Sequence, residues 1–238
     1  MDMVRLDSPP ELTMPIGEAM FSQRATRRLD PDRPVSDAQL QIILNAASKA
    51  PSGGNTQPAR CLVIRDRDAI HEFGKLYFEA WWAKRRDAYG WTSKADIPED
   101  SVYRLPALLA DEMVNAPTII LVYSEPSGVA ASSTFPGVQN LLLAARALGL
   151  GSVLTTLHPQ VMERVNAMFE VPKRNGISLL HSDWLSARQV WTNKPTAHQR
   201  NHLVEPLGAT ATLVITYSGL TRLGTATSVE RGKGTCTF

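Results

Sequence analysis

Three arginines lie close together in the segment "RATRR", at Arg24, Arg27 and Arg28. Arg24 and Arg27 are three positions apart, so on a helical backbone both guanidinium groups can reach a single phosphate. Charge runs are more often simply solvated, and a basic surface is the competing interpretation of the same letters. The segment therefore indicates a candidate anion site that needs support from elsewhere in the chain.

The second candidate is the loop "APSGGNTQP" over residues 50–58, which combines two glycines, two prolines and small polar side chains. The glycines permit close approach of a ligand to the backbone. Ser52, Asn55 and Gln57 supply hydroxyl and amide groups that suit the edge of a planar heterocycle. An ordinary loop between a helix and a strand has a similar composition, so this alternative stays open.

A third group of candidates lies on a long predicted helix, in the segment "AWWAKRR". There a tryptophan pair stands beside a basic run, which is an arrangement that can form a lid over an active site. Tryptophans on such a helix are more often core or interface residues, and this is the alternative interpretation. The predicted lid residues are Trp81, Trp82, Lys84 and Arg85.

Other site chemistries find no support in the sequence. The five histidines lack the spacing of metal ligands, so no metal is expected. Neither G-x-G-x-x-G after a strand nor G-x-x-x-x-G-K-[ST] occurs, which argues against the standard dinucleotide and phosphate loops. Ser52 lacks the G-x-S-x-G context of a hydrolase nucleophile. Cys61 and Cys236 are too few for a disulfide framework.

Composition narrows the class of protein. The chain has 238 residues and a net charge of +2, with lysines and arginines scattered rather than clustered, so a nucleic-acid partner is not expected. The first 15 residues are broken by proline and have no apolar core of a signal peptide. No run approaches the roughly 20 apolar residues that cross a bilayer. We therefore expect a cytoplasmic protein without a membrane partner.

The candidate residues lie between alternating helices and strands. Ser36 and Gln39 form a capping-box pattern before a helix, and Pro51 ends that helix. Strands are predicted at 60–66 and 116–124, a long helix at 68–89 and a third strand at 152–158. These elements predict an α+β or α/β fold around one central sheet. After Lys173 the periodicity ends, and the tail contains only one plausible strand, "ATLVITY".

In chain order, "SQRATRRLDPDRPVSDAQLQIILNAASKAPSGGNTQP", "APTIILVY" and "GVQNLLLAARALGLGSVLTTLH" closely resemble the FMN-dependent nitroreductase family, over about residues 14–172. The resemblance implies an α+β fold with a central mixed, mainly antiparallel sheet flanked by helices. It also implies an intertwined homodimer with FMN at the subunit interface. The expected organisation is a flexible N-terminal arm at 1–15, an FMN-binding domain at 16–172 and an atypical tail at 173–238.

The resemblance also assigns cofactor contacts by position. The family's Arg-Arg-Ser-x-Arg turn binds the FMN phosphate, and here Gln and Ala replace its first Arg and its Ser. The family's Ala-Pro-Ser…Asn loop lies against the flavin, and "SVLTT" corresponds to the stretch along its far face. The implied FMN contacts are Gln23, Arg24, Ala25, Arg27, Pro51, Ser52, Asn55, Leu154, Thr155 and Thr156.

The activity implied by the resemblance is a ping-pong oxidoreduction. NADH or NADPH passes hydride to the flavin and leaves, and an electron-poor acceptor such as a nitroaromatic or quinone then takes its place. The flavin carries the chemistry, so no catalytic side chain is assigned. Two alternatives stay open: a branch that performs reductive dehalogenation or flavin fragmentation, and an inactive flavin-binding relic with an altered tail.

The atypical tail suggests a change of reading frame. Tryptophan has a single codon, so a reading one base later places glycine near Trp184 and near Trp191. Permitted codons across residues 175–195 then yield a segment like the "I-P-x-G-Y-P…G-P…R" with which the family usually ends. The hypothesis is that the tail is frameshifted, which would remove a late basic contact to the FMN phosphate. Sequencing the gene across codons 170–180 tests it, and an intact frame there would refute it.

Overall fold

In this computed structural model, the structure describes residues 8–125, 130–156, 159–171, 212–217 and 233–237. The segment at 175–195, on which the frameshift hypothesis depends, lies outside the described residues, as do residues 1–7 of the predicted arm. Leu12, within the described part of that arm, packs against the core.

Helices form where the capping and periodicity signals predict them. Ser36 Oγ accepts from the Gln39 amide, and the Gln39 side chain accepts from the Ser36 amide, which confirms the capping box. The long helix begins after Asp66, whose carboxylate accepts from Ala69 N at 2.8 Å, and ends at Gly90 in a left-handed conformation. The helices are α1 Ile16–Ser22, α2 Asp37–Ser48, α3 Arg67–Tyr89, α4 Arg104–Glu112, α5 Ala130–Ala147 and α6 Pro159–Met168.

Within the described ranges, five strands form one sheet in the order β3-β4-β2-β1-β5. The β1–β2 and β1–β5 pairs are antiparallel, and the β2–β4 and β3–β4 pairs are parallel. The predicted α+β class with a mixed sheet flanked by helices is confirmed, and the described pairings divide equally between the two directions. The strands are β1 Ala59–Ile64, β2 Thr118–Ser124, β3 Gly151–Thr156, β4 Thr212–Tyr217 and β5 Lys233–Thr237.

The expectation of a single strand in the tail is wrong, because β5 pairs with β1 from Lys233–Ile64 to Thr237–Arg60. Its sequence, "KGTCT", carries a glycine and little apolar alternation, so it gives a weak strand signal on its own. The β1 backbone supplies the ladder of hydrogen bonds that this segment needs. A long-range pairing of this kind has no local signature.

The core occupies both faces of the sheet. Strand β2 is buried throughout, and its side chains alternate between two apolar clusters. Ile119, Leu121 and Tyr123 contribute to the cluster that contains α3, α4 and α6. Ile120 and Val122 contribute to the cluster that contains α2 and α5. The fold is therefore a helix–sheet–helix sandwich.

Candidate functional site

The arginine turn, which we define as residues 23–28, is fastened to strand β3. Thr26 N donates to Ser152 O at 3.0 Å, and Ala25 forms a parallel bridge with Ser152. Gly151 makes this approach possible, since a Cβ there would lie 2.8 Å from Thr26 Cγ2. The turn therefore runs beside β3 as a short extension of the sheet. It begins after the end of α1 at Ser22 and is not helical.

Both arginines assigned to phosphate binding keep their charge available. Arg24 Nη1 donates to Gln23 O at 2.7 Å, and Arg27 Nη1 donates to Ala25 O at 3.3 Å. Within the part of the chain that the structure describes, no carboxylate forms an ion pair with either guanidinium. These main-chain contacts orient the side chains without neutralising them, so the turn suits a ligand with negative charge.

A buried tyrosine connects this edge to α3. Tyr77 is 3 % exposed, and its hydroxyl lies 2.8 Å from Thr155 Oγ1 on β3. Burial raises the pKa of the Tyr77 hydroxyl, and the hydrogen bond to Thr155 and the charges of Arg85 and Arg27 only partly oppose it. The group therefore stays a neutral phenol at physiological pH. Sequence analysis missed its role because its helical spacing indicated an ordinary core position.

We expect Tyr77→Phe to lower the free energy of unfolding by about 1–3 kcal/mol, since it leaves the Thr155 hydroxyl without its partner in a buried setting. Thr155→Val should cost a similar amount, and the two changes together should cost less than their sum because the interaction is lost only once. Chemical denaturation of the four proteins measures this coupling. Strictly additive losses would contradict a direct Tyr77–Thr155 bond.

The loop at residues 50–58 holds an unusual backbone. Gly54, Asn55 and Gln57 have φ angles of +60°, +55° and +47°, in the left-handed region. Glycine and asparagine tolerate this region, whereas glutamine adopts it rarely. Such strained positions persist only where surrounding contacts stabilise them, and they occur often at binding sites. The conformation favours a ligand-facing loop over a simple connection.

Hydrogen bonds hold the loop in this shape. Gln57 N donates to Ser52 Oγ at 3.0 Å, and Gln57 Nε2 donates to Asn55 Oδ1 at 3.0 Å. Gly53 N donates to Ser133 Oγ of α5, also at 3.0 Å. Two of the predicted flavin contacts, Ser52 and Asn55, are thus oriented by Gln57, and Gly53 ties the loop to α5.

Arg60 fixes the exit of the loop into β1. Its Nη1 donates to Gln57 O at 2.8 Å, and its Nη2 forms an ion pair with Glu125 Oε1 at 2.8 Å, just after β2. Glu125 N in turn donates to Pro58 O at 2.8 Å. The loop is therefore held by α5 and by the β1–β2 end of the sheet, whereas the arginine turn is held by β3.

The predicted lid residues lie in different environments. Trp81 is 7 % exposed and belongs to the core around α3, so it packs as the alternative interpretation described. Trp82 is half-buried with its ring edge-on to Trp81 at 4.8 Å between centroids. Lys84 is exposed. Arg85 is half-buried and lies over two aromatic rings, near Tyr77.

A separate apolar groove of about 410 Å³ lies between residues 8–19 and helices α2 and α5. Leu12, Ile42 and Leu143 are among its lining residues, and none of the predicted FMN contacts lines it. On α1, which borders it, Ile16, Met20 and Phe21 are 68, 59 and 83 % exposed. Neighbouring exposed apolar side chains of this size are typical of interaction surfaces.

The fold agrees with a comparison against known families. The model described as the nitroreductase family matches residues 21–182, and the chain belongs to this family of oxidoreductases. A protein of Archaeoglobus fulgidus, provisionally named NADH dehydrogenase/NAD(P)H nitroreductase, is 30% identical over 152 residues, which are 64% of this chain and 73% of that protein. A Thermus thermophilus protein named NADH dehydrogenase is 29% identical over 185 residues, 71% and 87% of the two chains.

Solved structures with a similar fold include members of this family and a related flavoprotein. An oxidized iodotyrosine deiodinase bound to FMN and 3-iodo-L-tyrosine is 25% identical, with a TM-score of 0.51, and the match covers 66% of this chain and 82% of that one. A nitroreductase family protein from Clostridium novyi is 13% identical with a TM-score of 0.51, covering 67% of this chain and 78% of that one, which shows the shared fold alone.

Among the described residues, no helix is long and apolar enough to cross a membrane.

Proposed function

We propose that the protein is an FMN-dependent oxidoreductase of the cytoplasm that passes hydride from NADH or NADPH to an electron-poor acceptor such as a nitroaromatic or a quinone. The observation that carries the proposal is the arginine turn, where Arg24 and Arg27 lie beside β3 without a carboxylate partner among the described residues. Family membership and the names of the two curated relatives support it.

The residues present fit FMN. Arg24 and Arg27 offer guanidinium forks to a dianionic phosphate, and Gln23 and Ala25 complete the turn with a side-chain amide and backbone. Gln and Ala replace an arginine and a serine of the family pattern, so the phosphate depends on the two remaining arginines. The strained loop, with Pro51, Ser52 and Asn55, would meet the heterocycle edge. On β3, the contacts would come from Leu154, Thr155 and Thr156.

When bound, FMN would supply a carrier that accepts hydride from the nicotinamide and delivers electrons to the acceptor. The chain's own residues have simpler tasks. The arginine turn binds and orients, and the hydrogen bond between Tyr77 and Thr155 fixes the Thr155 hydroxyl on β3. Tyr77 remains a neutral phenol because burial raises the pKa of its hydroxyl. No side chain is assigned as a general acid or base.

A second copy of the chain would complete the site. The arginine turn is fastened to β3, but the loop at residues 50–58 is held by α5 and the far strands β1 and β2. The apolar groove and the exposed side chains of α1 suit the surface of an identical subunit. A homodimer, in which the turn of one subunit faces the loop of its partner, accounts for both features.

Reductive dehalogenation is the second candidate function. The specific observation is the likeness to the iodotyrosine deiodinase structure, which meets this chain at 25% identity with a TM-score of 0.51. A preference for a halogenated aromatic over a nitroaromatic or quinone would favour this candidate.

Steady-state kinetics tests the leading proposal. We expect NADH or NADPH oxidation that depends on a nitroaromatic or a quinone, with parallel double-reciprocal lines as the acceptor concentration is varied, because donor and acceptor occupy one site in turn. Supplementing the assay with FMN guards against loss of cofactor during purification. A folded, FMN-loaded protein that oxidises neither donor with any of these acceptors would contradict the proposal.

A further inference from the structure

Arg85 lies in an aromatic frame, and the described part of the chain gives it no counter-ion. Its guanidinium carbon is 4.7 Å from the ring centroid of Trp81 and 4.2 Å from that of Tyr103. Its Nε is buried and has no hydrogen-bond partner among the residues that the structure describes. The neighbouring acid on the same helix, Asp87, pairs instead with Arg86 at 3.1 Å. Among the described residues, no carboxylate forms an ion pair with Arg85.

A half-buried guanidinium without an anion is an expensive arrangement. Burial lowers the pKa of Arg85, with nearby tyrosines opposing the change, yet an arginine remains charged throughout the physiological range. Stacking on aromatic faces recovers about 0.5–2 kcal/mol. It leaves the Nε–H without an acceptor among the described residues, because ring faces replace neither the directional bonds nor the charge of an anion. The Arg85 guanidinium is therefore suited to a negatively charged acceptor, and a carboxylate matches the guanidinium fork in shape.

The aromatic frame extends beyond the two rings that sandwich Arg85. Tyr89 and Trp91 stack at 4.6 Å between centroids, and Trp91 meets Tyr103 edge-on at 5.8 Å. Trp82 adds a half-buried ring beside Trp81. We define these five rings, Trp81, Trp82, Tyr89, Trp91 and Tyr103, as the aromatic cluster. Trp81 is buried, so the rings of the cluster that a ligand can meet are the partly or more fully exposed ones. They favour a flat aromatic ligand, because ring pairs gain energy beyond simple burial.

The cluster adjoins the candidate redox site. The charges of Arg85 and of Arg27 both lower the pKa of the Tyr77 hydroxyl, against the larger effect of burial. That hydroxyl bonds to Thr155 on β3, one of the predicted flavin contacts. Arg85 therefore lies within electrostatic reach of the groups that would border the flavin, at the position of the predicted lid.

From this geometry we infer that Arg85, framed by Trp81 and Tyr103, binds the carboxylate of an aromatic acceptor substrate. This inference rests on the proposed oxidoreductase function, because it names the class of acceptor substrate that the same site would bind. Lys84 adds a second positive charge on the exposed side of the helix. Aromatic acids with an electron-poor substituent, such as a nitrobenzoate, are the class that fits.

The experiment compares 4-nitrobenzoate with 4-nitrobenzamide, which differ mainly in charge. The measured quantity is the ratio of kcat/KM for the acid to that for the amide. We expect Arg85→Gln to lower this ratio about 10- to 100-fold, since a hydrogen bond to a charged group contributes about 1.5–3 kcal/mol. Arg85→Lys should restore part of the preference, because it returns the charge without the planar fork. Arg86→Gln, one position along on the exposed face, is the matched control and should leave the ratio unchanged.

Binding provides a readout that is independent of turnover. Calorimetric titration with benzoate and with benzamide should show tighter binding of benzoate to the wild-type protein and to Arg86→Gln, and loss of this preference in Arg85→Gln. If neither acceptor is turned over but benzoate binding still depends on Arg85, the proposed function fails and the anion site stands. If both acceptors are turned over and Arg85→Gln leaves the ratio and the binding preference unchanged, the inference is wrong. A change confined to the KM for NADPH would also overturn it, because it would assign Arg85 to the phosphate of the donor.

Discussion

Replacing Arg24 and Arg27 together by alanine is expected to leave a folded protein that retains almost no FMN. Each guanidinium is oriented by a main-chain carbonyl and lacks a carboxylate partner among the described residues, so each is available to the phosphate. A charge-assisted hydrogen bond contributes about 1.5–3 kcal/mol, which corresponds to roughly 10- to 100-fold in the dissociation constant for each residue. Titration of apoprotein with FMN, followed by the change in flavin fluorescence, measures the effect.

Arg33→Ala is the matched control for this prediction. Arg33 is an exposed arginine a few residues beyond the arginine turn. Its replacement by alanine removes one positive charge, as each single change in the turn does. FMN affinity should fall less than about twofold in this variant, since Arg33 is exposed and salt screens its charge. Equal weakening by Arg33→Ala and by either single change in the turn would indicate general charge attraction rather than a phosphate site.

Mixed subunits test whether the site is composite. The first variant, Arg24→Ala with Arg27→Ala, keeps an intact loop at residues 50–58. The second variant, Ser52→Ala with Asn55→Ala, keeps an intact arginine turn. If the turn of one subunit and the loop of its partner form each site, each heterodimer should regain one of its two FMN sites. A re-annealed equimolar mixture with random pairing should therefore regain about a quarter of the wild-type sites. No recovery, under conditions that exchange wild-type subunits, would assign both parts to a single chain.

The second large effect concerns stability. Gly74→Ala on α3 should lower the free energy of unfolding by about 1–3 kcal/mol or more, because an added methyl group would overpack the core. A Cβ at this position would lie 2.5 Å from both the Cα and the N of Val114, in the 3₁₀ turn Met113–Asn115 that follows α4. These are backbone atoms, so the turn or the helix must move. Chemical denaturation monitored by circular dichroism measures the loss.

Gly17→Ala on α1 is the control for the same substitution in open space. A Cβ at Gly17 meets nothing within 4 Å, and the backbone there is helical. Alanine should therefore stabilise the protein by about 0.4–1 kcal/mol through the lower entropy of the unfolded chain. If Gly74→Ala proved as harmless as Gly17→Ala, the close packing of α3 on the turn would be wrong.

Local signals predicted much of the framework. Ser36, Gln39 and Pro51 define the start and end of α2 and lead into the loop, and the structure has the helix where these residues indicate it. Such signals depend only on residues within about one helical turn of each other, so they can be recognised in the sequence. The three strands and the long helix that the sequence predicts up to residue 158 follow in the same way, with bounds that differ by one or a few residues. The α+β class was predictable for this reason.

The contacts between distant segments were not predictable from local patterns. The bridge between Ala25 and Ser152 joins positions more than a hundred residues apart, and only the small size of Gly151 hints at the close approach. Strand β5 exists through its pairing with β1. The frame around Arg85 needs Tyr103 from beyond the end of α3, so the segment "AWWAKRR" could indicate a lid or a core but not an anion site. Tertiary packing decides such features.

The most direct test of the central claim is an anaerobic titration of the purified, FMN-loaded protein. The account predicts a yellow protein whose visible absorbance disappears on addition of NADH or NADPH and returns on addition of a nitroaromatic or a quinone. It also predicts that the Arg24→Ala, Arg27→Ala protein is colourless under the same conditions. A folded wild-type protein that stays colourless in excess FMN, or a yellow one that neither nucleotide bleaches, would contradict the account.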